Sequence, residues 1–136
     1  MFMKSNPLIV SILLILLIAS SFASCKKMKE NRLEGTWKFV SYSSSDQGQD
    51  RTWTFSNNGD FTETIVNNNT ATTVTYTGTY VLRISSLKTF IEIFDVYINT
   101  DGKYRVVKLS GKLLKTIQIT DRDGASQYIR KDFTKE

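Results

Sequence analysis

The stretch NNGDFTETIVNNNTATTVTYTGTYVLR, Asn57–Arg83, determines the fold that the sequence predicts. Two runs rich in Thr, Val, Ile, Tyr and Phe, at 60–67 and 71–83, are separated by the polar run Asn67–Asn69. β-branched and aromatic residues favour strands, whereas clustered Asn, Gly and Asp favour the turns between them. The stretch therefore predicts two antiparallel strands. Gly78, inside the second run, predicts a bulge or bend that lets a sheet curl.

The same pattern continues on both sides of this stretch. From Leu33 onward there is no convincing helical period, and Gly, Asp and Asn recur at intervals typical of an antiparallel meander. Strands are predicted at 35–43, 50–56, 60–67, 71–83, 87–98, 103–109, 112–120 and 125–133. A meander of eight strands removes its exposed edges when it closes into a barrel. We therefore predict an all-β fold with an eight-stranded antiparallel meander barrel over residues 34–136.

Composition limits the chemistry that this single domain supports. The 136 residues include no His and one Cys, Cys25. The absence of His removes the commonest general base and metal ligand, and with one Cys it excludes Cys/His zinc sites and Cys-His or Ser-His relays. The chain also lacks a phosphate-cradling loop and metal-ligand spacing. We therefore expect no metal, no cofactor and no enzymatic activity.

Residues 1–24 have the features of a lipoprotein signal peptide. Lys4 supplies the basic start, and Leu8–Ala19 is an apolar stretch shorter than the roughly 20 residues of a membrane span. Phe22-Ala23-Ser24-Cys25 resembles the lipobox of bacterial lipoproteins, in which the Cys thiol receives a diacylglycerol and the chain is cut just before it. An uncleaved anchor and a secreted protein with a free Cys stay open as alternatives.

The residues around the predicted cleavage site indicate a location. Lipidation of Cys25 with two or three acyl chains would give stable membrane attachment, with residues 25–33 as a lipidated tether. Lys26 in place of Asp argues against retention at the inner membrane, and the tether lacks an acidic surface-export run. We therefore expect an outer-membrane lipoprotein that faces the periplasm, which disfavours nucleic acid as a partner.

Gly35-Thr36-Trp37 resembles the GxW motif of lipocalins. Together with WTFSNNGDFT and TGTYVLR it is similar to the lipocalin-like lipoproteins of Gram-negative envelopes. The resemblance implies that Trp37 plugs one end of the barrel, next to Gly35. It also implies that a last-strand Arg, here Arg130, packs across the Trp37 ring as a cation over a π face.

Alternation along the strands indicates which side chains face inward. The predicted interior includes Trp37, Phe39, Trp53, Phe55, Phe61, Ile65, Val74, Tyr76, Tyr80 and Leu82, and on the same parities Glu63 and Glu92. Seven of these are candidate ligand-lining residues, namely Phe39, Trp53, Phe55, Glu63, Tyr76, Tyr80 and Glu92. Glu63 and Glu92 are either polar anchors in a ligand cavity, or outward-facing residues if the register is off by one, or structural partners of Arg83 or Arg130.

Five basic residues occur between Gly102 and Thr120 without an intervening acid. They are Lys103, Arg105, Lys108, Lys112 and Lys115. On adjacent strands they would form a positive stripe that meets anionic lipid or lipopolysaccharide phosphates, or a solvated sheet face.

Two functional classes follow from these observations. The first is a binding module that holds a small hydrophobic or amphipathic ligand at the barrel mouth. The second is a non-enzymatic structural or interaction lipoprotein, with a filled barrel that contacts another envelope component. A cavity above about 300 Å³ would favour the first, and a packed interior the second. The ligand identity and the oligomeric state are not determined by the sequence.

Overall fold

A computed structural model describes residues 7–40 and 48–136 of the chain. Helix α1 spans Pro7–Leu33. The strands are β1 (Gly35–Phe39), β2 (Gln49–Phe55), β3 (Asp60–Asn67), β4 (Thr72–Ser85), β5 (Lys88–Phe94), β6 (Gly102–Leu109), β7 (Leu113–Thr120) and β8 (Ser126–Lys135). Lys4 and the predicted strand residues 41–43 lie outside the described residues.

The eight strands form a closed barrel in which each strand pairs with the next along the chain, all antiparallel. Closure is completed by β1 and β8, with Trp37 opposite Lys135 and Phe39 opposite Phe133. The predicted all-β fold and the eight-stranded meander barrel are confirmed. Because every strand has two partners, the barrel has no free sheet edge.

Gly78 lies where β4 passes from one partner to the next. The strand pairs with β3 over Thr72–Thr79 and with β5 over Thr79–Ser85. A side chain at Gly78 would overlap the backbone carbonyl of Phe94. Glycine is therefore required at this position by a close backbone approach. The register shifts between strands lie instead in the β6–β7 and β7–β8 pairs.

Helix α1 covers one end of the barrel, which we call the helix end. The β4–β5 hairpin turn lies at this end, and β1 starts here directly after α1. Leu33 is fully buried in the core, and the Lys29 Nζ atom donates a 2.6 Å hydrogen bond to Thr89 Oγ1. The segment predicted as a tether is therefore helical and in contact with the barrel. Within the described residues, no helix has the length and hydropathy that a membrane span requires.

The opposite end, which we call the loop end, is covered by residues 95–101. The sequence predicted a strand as far as residue 98, but β5 ends at Phe94 and the chain folds inward. The Asp101 Oδ1 atom accepts hydrogen bonds from the backbone N–H groups of Val96 (2.8 Å) and Tyr97 (3.1 Å). This side-chain hydrogen bonding replaces the strand ladder and brings Thr100 into the interior, where it is fully buried.

Candidate functional site

The barrel interior is filled by aromatic side chains. Trp53 lies at its centre, with ring centroids of Phe61 at 5.4 Å, Tyr104 at 5.3 Å and Phe133 at 4.5 Å. Trp53, Phe61 and Tyr104 have no exposed surface, and Phe133 is 1% exposed. Side chains around a ligand-sized void would retain accessible surface, so these residues contact one another rather than a cavity.

Trp37 closes the helix end, as the GxW resemblance implies. Its indole Nε1 donates a 2.7 Å hydrogen bond to the carbonyl of Leu33, which joins the end of α1 to the core. The Lys135 ammonium lies 5.1 Å from the centroid of the Trp37 ring. A Cβ atom at Gly35 would lie 2.8 Å from Lys135 Cε, so Gly35 leaves room for this lysine.

The cation over Trp37 is Lys135 and not Arg130. The β1–β8 register places Lys135 directly opposite Trp37, whereas Arg130 lies on the outer face. The Arg130 Nη2 atom donates a 2.8 Å hydrogen bond to Asp132 Oδ2. The prediction for Arg130 is therefore wrong, because the inward parity of β8 is that of Phe133 and Lys135, and Arg130 lies on the other parity.

Glu63 faces inward, as predicted, and is fully buried. Its Oε1 atom accepts a 3.1 Å hydrogen bond from Trp53 Nε1, and its Oε2 atom accepts a 2.6 Å hydrogen bond from the Thr100 hydroxyl. The Arg51 Nε atom lies 3.6 Å from Oε1 and supplies a positive charge. The carboxylate is thus held by structural partners, although these are neither Arg83 nor Arg130.

Lys131 is a second buried charge beside this network. Its Nζ atom donates to the Tyr104 hydroxyl (3.3 Å) and the Asn99 carbonyl (3.4 Å), and lies 5.3 Å from the ring centroids of both Trp53 and Tyr104. Burial lowers the pKa of Lys131 to about 8, although the charge of Glu63 acts in the opposite direction. Lys131 therefore loses its proton far more easily than an exposed lysine.

Tyr104 connects the lysine to the loop end. Its hydroxyl donates a 2.6 Å hydrogen bond to the Thr100 carbonyl, and burial, together with the charge of Glu63, raises the pKa of Tyr104 well above its usual value. The phenol is therefore neutral throughout the physiological range. Residues of β2, β3, β6, β8 and the loop 95–101 thus form one polar network, which is buried except for the half-buried Arg51. Its members are Arg51, Trp53, Glu63, Thr100, Tyr104 and Lys131.

Glu92 lies on the outer face of β5, and the prediction that it faces inward is wrong. Ile91 and Ile93 supply the buried parity of this strand, which turns Glu92 outward. Its carboxylate lies 3.0 Å from Arg83 Nε and 3.6 Å from Lys103 Nζ. Pairing with Arg83 was one of the alternatives that the sequence left open.

The remaining candidate lining residues lie in three separate places. Phe55 and Tyr80 are buried in the core, and the Tyr80 hydroxyl donates a 2.7 Å hydrogen bond to the Ser56 carbonyl. Phe39 is half-buried against Phe133, with ring centroids 5.5 Å apart. Tyr76 is half-buried at the loop end and stacks on Tyr97 at 4.9 Å. The structure does not gather these side chains around a common pocket.

The network partners Arg51, Thr100 and Lys131 were missed by the sequence analysis. Two of them could have been predicted from strand alternation. Arg51 lies on the same face of β2 as Trp53, and Lys131 lies on the same face of β8 as Phe133. A basic residue on a core-facing parity indicates a partner for a buried acid. Thr100 carried no such signal, because it reaches the interior from a loop.

The larger grooves lined by described residues lie on the outside of the barrel, and two of them are at opposite ends. A groove of about 430 Å³ at the loop end includes Ile93, Phe94, Asp95, Lys103 and Arg122. A larger groove of about 960 Å³ lies between α1 and β4 at the helix end, with Cys25 in its lining. The described residues contain no cluster of His, Cys, Asp and Glu suited to a metal ion.

The structure divides the predicted basic stripe. Lys103 pairs with Glu92, and Lys115 lies 3.7 Å from Asp132. Arg105 and Lys108 instead line a third groove of about 460 Å³ at the helix end. Lys112 lies in the turn before β7, away from that groove. The five residues therefore do not form one surface.

Comparisons of the chain with protein-family models, with curated proteins and with solved structures found no match. The geometry is compatible with a lipocalin-like fold, since it is a closed antiparallel barrel of eight strands in meander order. A barrel of this size supports many functions, so the function has to be argued from its interior and its surfaces.

Proposed function

We propose that this chain is a lipid-anchored, lipocalin-like lipoprotein of the outer membrane, and that it acts as a non-enzymatic interaction module through its outer surface. The filled interior is the observation that carries this proposal. It favours the second functional class over a ligand carried inside the barrel.

Opening the interior to a ligand would require removal of well-packed groups. Trp53 has aromatic neighbours on several sides, and the Glu63 carboxylate uses both oxygens in hydrogen bonds. Displacing a large aromatic core residue costs several kcal/mol, and separating buried charged partners costs about as much. A small hydrophobic ligand would have to offset both costs.

The anchor is supported by the lipobox-like segment and by the position of Cys25. The thiol is exposed on α1, one turn before Lys29 bonds to Thr89 of the barrel and two turns before the buried Leu33, and so is accessible to an acyl donor. A barrel attached this closely would lie against the membrane.

Native mass spectrometry of the protein extracted gently from its host envelope tests the filled barrel. We expect the mass of the polypeptide and its acyl groups, with no further molecule. A small molecule that is lost in Trp53→Phe but retained in the outer-face control Phe90→Leu would contradict the proposal, because it would place a ligand in the interior.

Metabolic labelling with radioactive palmitate tests the anchor separately. We expect label in the wild-type protein and none in Cys25→Ser. Label retained in Cys25→Ser would contradict lipidation at this residue, whatever the contents of the barrel.

The groove at the loop end supports a second candidate function, the binding of a small amphipathic ligand at the barrel mouth. Its lining combines the apolar Ile93 and Phe94 with the charged Asp95, Lys103 and Arg122, and its volume of about 430 Å³ is within the range of ligand sites. A bound molecule whose retention falls in Arg122→Gln but not in the distant control Lys112→Gln would support this candidate over a surface that binds only macromolecules.

A further inference from the structure

The tip of the β4–β5 hairpin carries a residue that the fold does not explain. Leu87 is 95% exposed, and Ser86 and Leu87 both have positive φ, 49° and 64°. Turns of this kind favour Asn and Gly, which adopt positive φ at little cost. A leucine here neither helps the turn nor packs in the core, so its apolar side chain is available to something outside the barrel.

An apolar groove lies on one side of Leu87. It has a volume of about 960 Å³, and its lining includes Val81, Leu82, Ile84 and Leu87 of the hairpin together with Cys25 of α1. Val81 and Ile84 are 38% and 39% exposed. Cys25, which is proposed to carry the acyl chains, therefore lies next to exposed apolar side chains of the barrel.

A cationic groove lies on the other side of Leu87. Its volume is about 460 Å³, and five basic side chains contribute to its lining, namely Lys29, Arg32, Lys88, Arg105 and Lys108. No Asp or Glu contributes to that lining, and none of the five forms an ion pair within the described residues.

Several basic residues elsewhere on the barrel are neutralised by carboxylates. Lys38 lies 3.1 Å from Asp50, Arg83 lies 3.0 Å from Glu92, and Lys115 lies 3.7 Å from Asp132. The positive charge in the cationic groove is therefore a local feature and not a consequence of the net charge of +5.

We propose that the helix end is a membrane-docking face, in which the cationic groove binds the phosphates of anionic phospholipid headgroups and Leu87 enters the interface. The inference rests on the lipid anchor of the proposed function. It adds an orientation, because a lipid chain alone holds a protein near the bilayer without fixing which face meets it. Charge complementarity selects the occupant, since polybasic surfaces are attracted to anionic lipid. The loop end then points away from the bilayer.

Dye labelling at the hairpin tip tests this orientation. Cys25 is the only Cys and carries the lipid in the proposed protein, so Leu87→Cys introduces one thiol for an environment-sensitive dye. The lipidated protein is added to preformed vesicles of zwitterionic phospholipid, with or without about a third of phosphatidylglycerol. Quenching by a nitroxide-labelled phospholipid in the bilayer is then measured. Ser126→Cys, exposed at the loop end, is the matched control.

We expect strong quenching at position 87 in the anionic vesicles, weak quenching there in the zwitterionic vesicles and little quenching at position 126 in either. Arg105→Gln combined with Lys108→Gln is expected to weaken the docked state about tenfold or more, since each basic residue near an anionic surface contributes about fivefold. The matched pair Lys38→Gln with Arg122→Gln removes the same charge away from the helix end, and we expect a smaller change.

Three results would overturn the docking face. They are equal quenching at positions 87 and 126, quenching that does not depend on phosphatidylglycerol, and an effect of the control pair as large as that of the groove pair. Quenching is measured only on protein that has been shown by flotation to be attached to the vesicles. Failure of the docking face is thereby distinguished from failure of the lipid anchor, which appears as loss of flotation and of palmitate label.

Discussion

The two ends of the barrel are both sealed, but by different chemistry. At the helix end, the indole of Trp37 lies under α1 with Lys135 5.1 Å from its ring centroid, and its one polar atom bonds to the Leu33 carbonyl. At the loop end, the buried carboxylate of Glu63 is bonded to Trp53 and Thr100 and lies near Arg51. The helix end is closed by packing, whereas the loop end is closed by a network of charges and hydrogen bonds.

The contrast indicates how each end responds to change. Packing is non-directional and tolerates substitutions of similar shape, so the helix end is sensitive mainly to loss of volume. A buried polar network depends on every member, because removing one leaves its partners unsatisfied in a low-dielectric interior. The loop end is therefore sensitive to changes of charge that barely alter volume.

Trp37→Ala is expected to have the largest effect, because it empties the helix end. Loss of a fully buried Trp lowers the free energy of unfolding by about 3 to 5 kcal/mol, and it also frees the Leu33 carbonyl. Urea unfolding followed by circular dichroism measures this loss. Trp37→Phe preserves much of the volume, and we expect a smaller loss. If both variants lost equally, the hydrogen bond rather than the packing would close this end.

Glu63→Gln tests the loop end with almost no change of volume. The amide removes the charge facing Arg51, and its NH₂ group opposes a donor, since both Glu63 oxygens accept hydrogen bonds. We expect the free energy of unfolding to fall by about 3 kcal/mol, as for other broken buried pairs. The same urea titration measures it. A loss below about 1 kcal/mol would mean that the network contributes little to closure.

The pH dependence of stability is expected to come from the loop end through Lys131. Its pKa is about 8 in the folded protein, against the ordinary lysine value of 10.5 in the unfolded chain, so below pH 8 it is charged in both states. Between pH 8 and 10 the unfolded chain retains the proton that the folded protein loses. The free energy of unfolding therefore rises with pH over this window, by at most about 2 to 3 kcal/mol.

Tyr104 limits this rise above pH 10. Its pKa is raised in the folded protein above the ordinary value of 10.0, so the unfolded chain ionises first and stability falls again. Urea midpoints at pH 7, 8, 9 and 10 give the profile, and Lys131→Met is expected to abolish the rise between pH 8 and 10. Stability that falls over this window in the wild-type protein would contradict the assignment.

The sequence predicted the strands well because turn residues separate them. The prediction for 60–67 coincides with β3, and Gly78 lies where the close approach of the Phe94 carbonyl requires glycine. Asn, Gly and Asp at the connections limit where a strand starts and ends, and this signal is local. The closed order follows from meander connectivity, so the fold class was accessible without long-range information.

The interior of the loop end was predicted only in part, because it depends on register. In β5 the sequence KTFIEIF has apolar residues on both faces of the strand. The buried Tyr80 of β4 pairs with Ile93, so Ile91 and Ile93 face the interior and Phe90 and Phe94 face outward. Thr100 enters the core through loop hydrogen bonds, which alternation does not encode. Neither the inward parity of β5 nor the entry of Thr100 into the core can be predicted from the sequence of a single strand.

Glu92→Gln is the control that completes the comparison, and we expect the smallest effect. The change is the same as in Glu63→Gln, but this carboxylate lies on the outer face beside Arg83 and Lys103. Its side chain is 18% exposed and the Arg83 side chain 60% exposed, so solvent screens the pair. Surface ion pairs contribute about 1 kcal/mol or less, so the urea midpoint is expected to shift only slightly. A loss equal to that of Glu63→Gln would show that burial is not what distinguishes the two acids, and would remove the basis for treating the loop end as a separate, charge-sensitive closure.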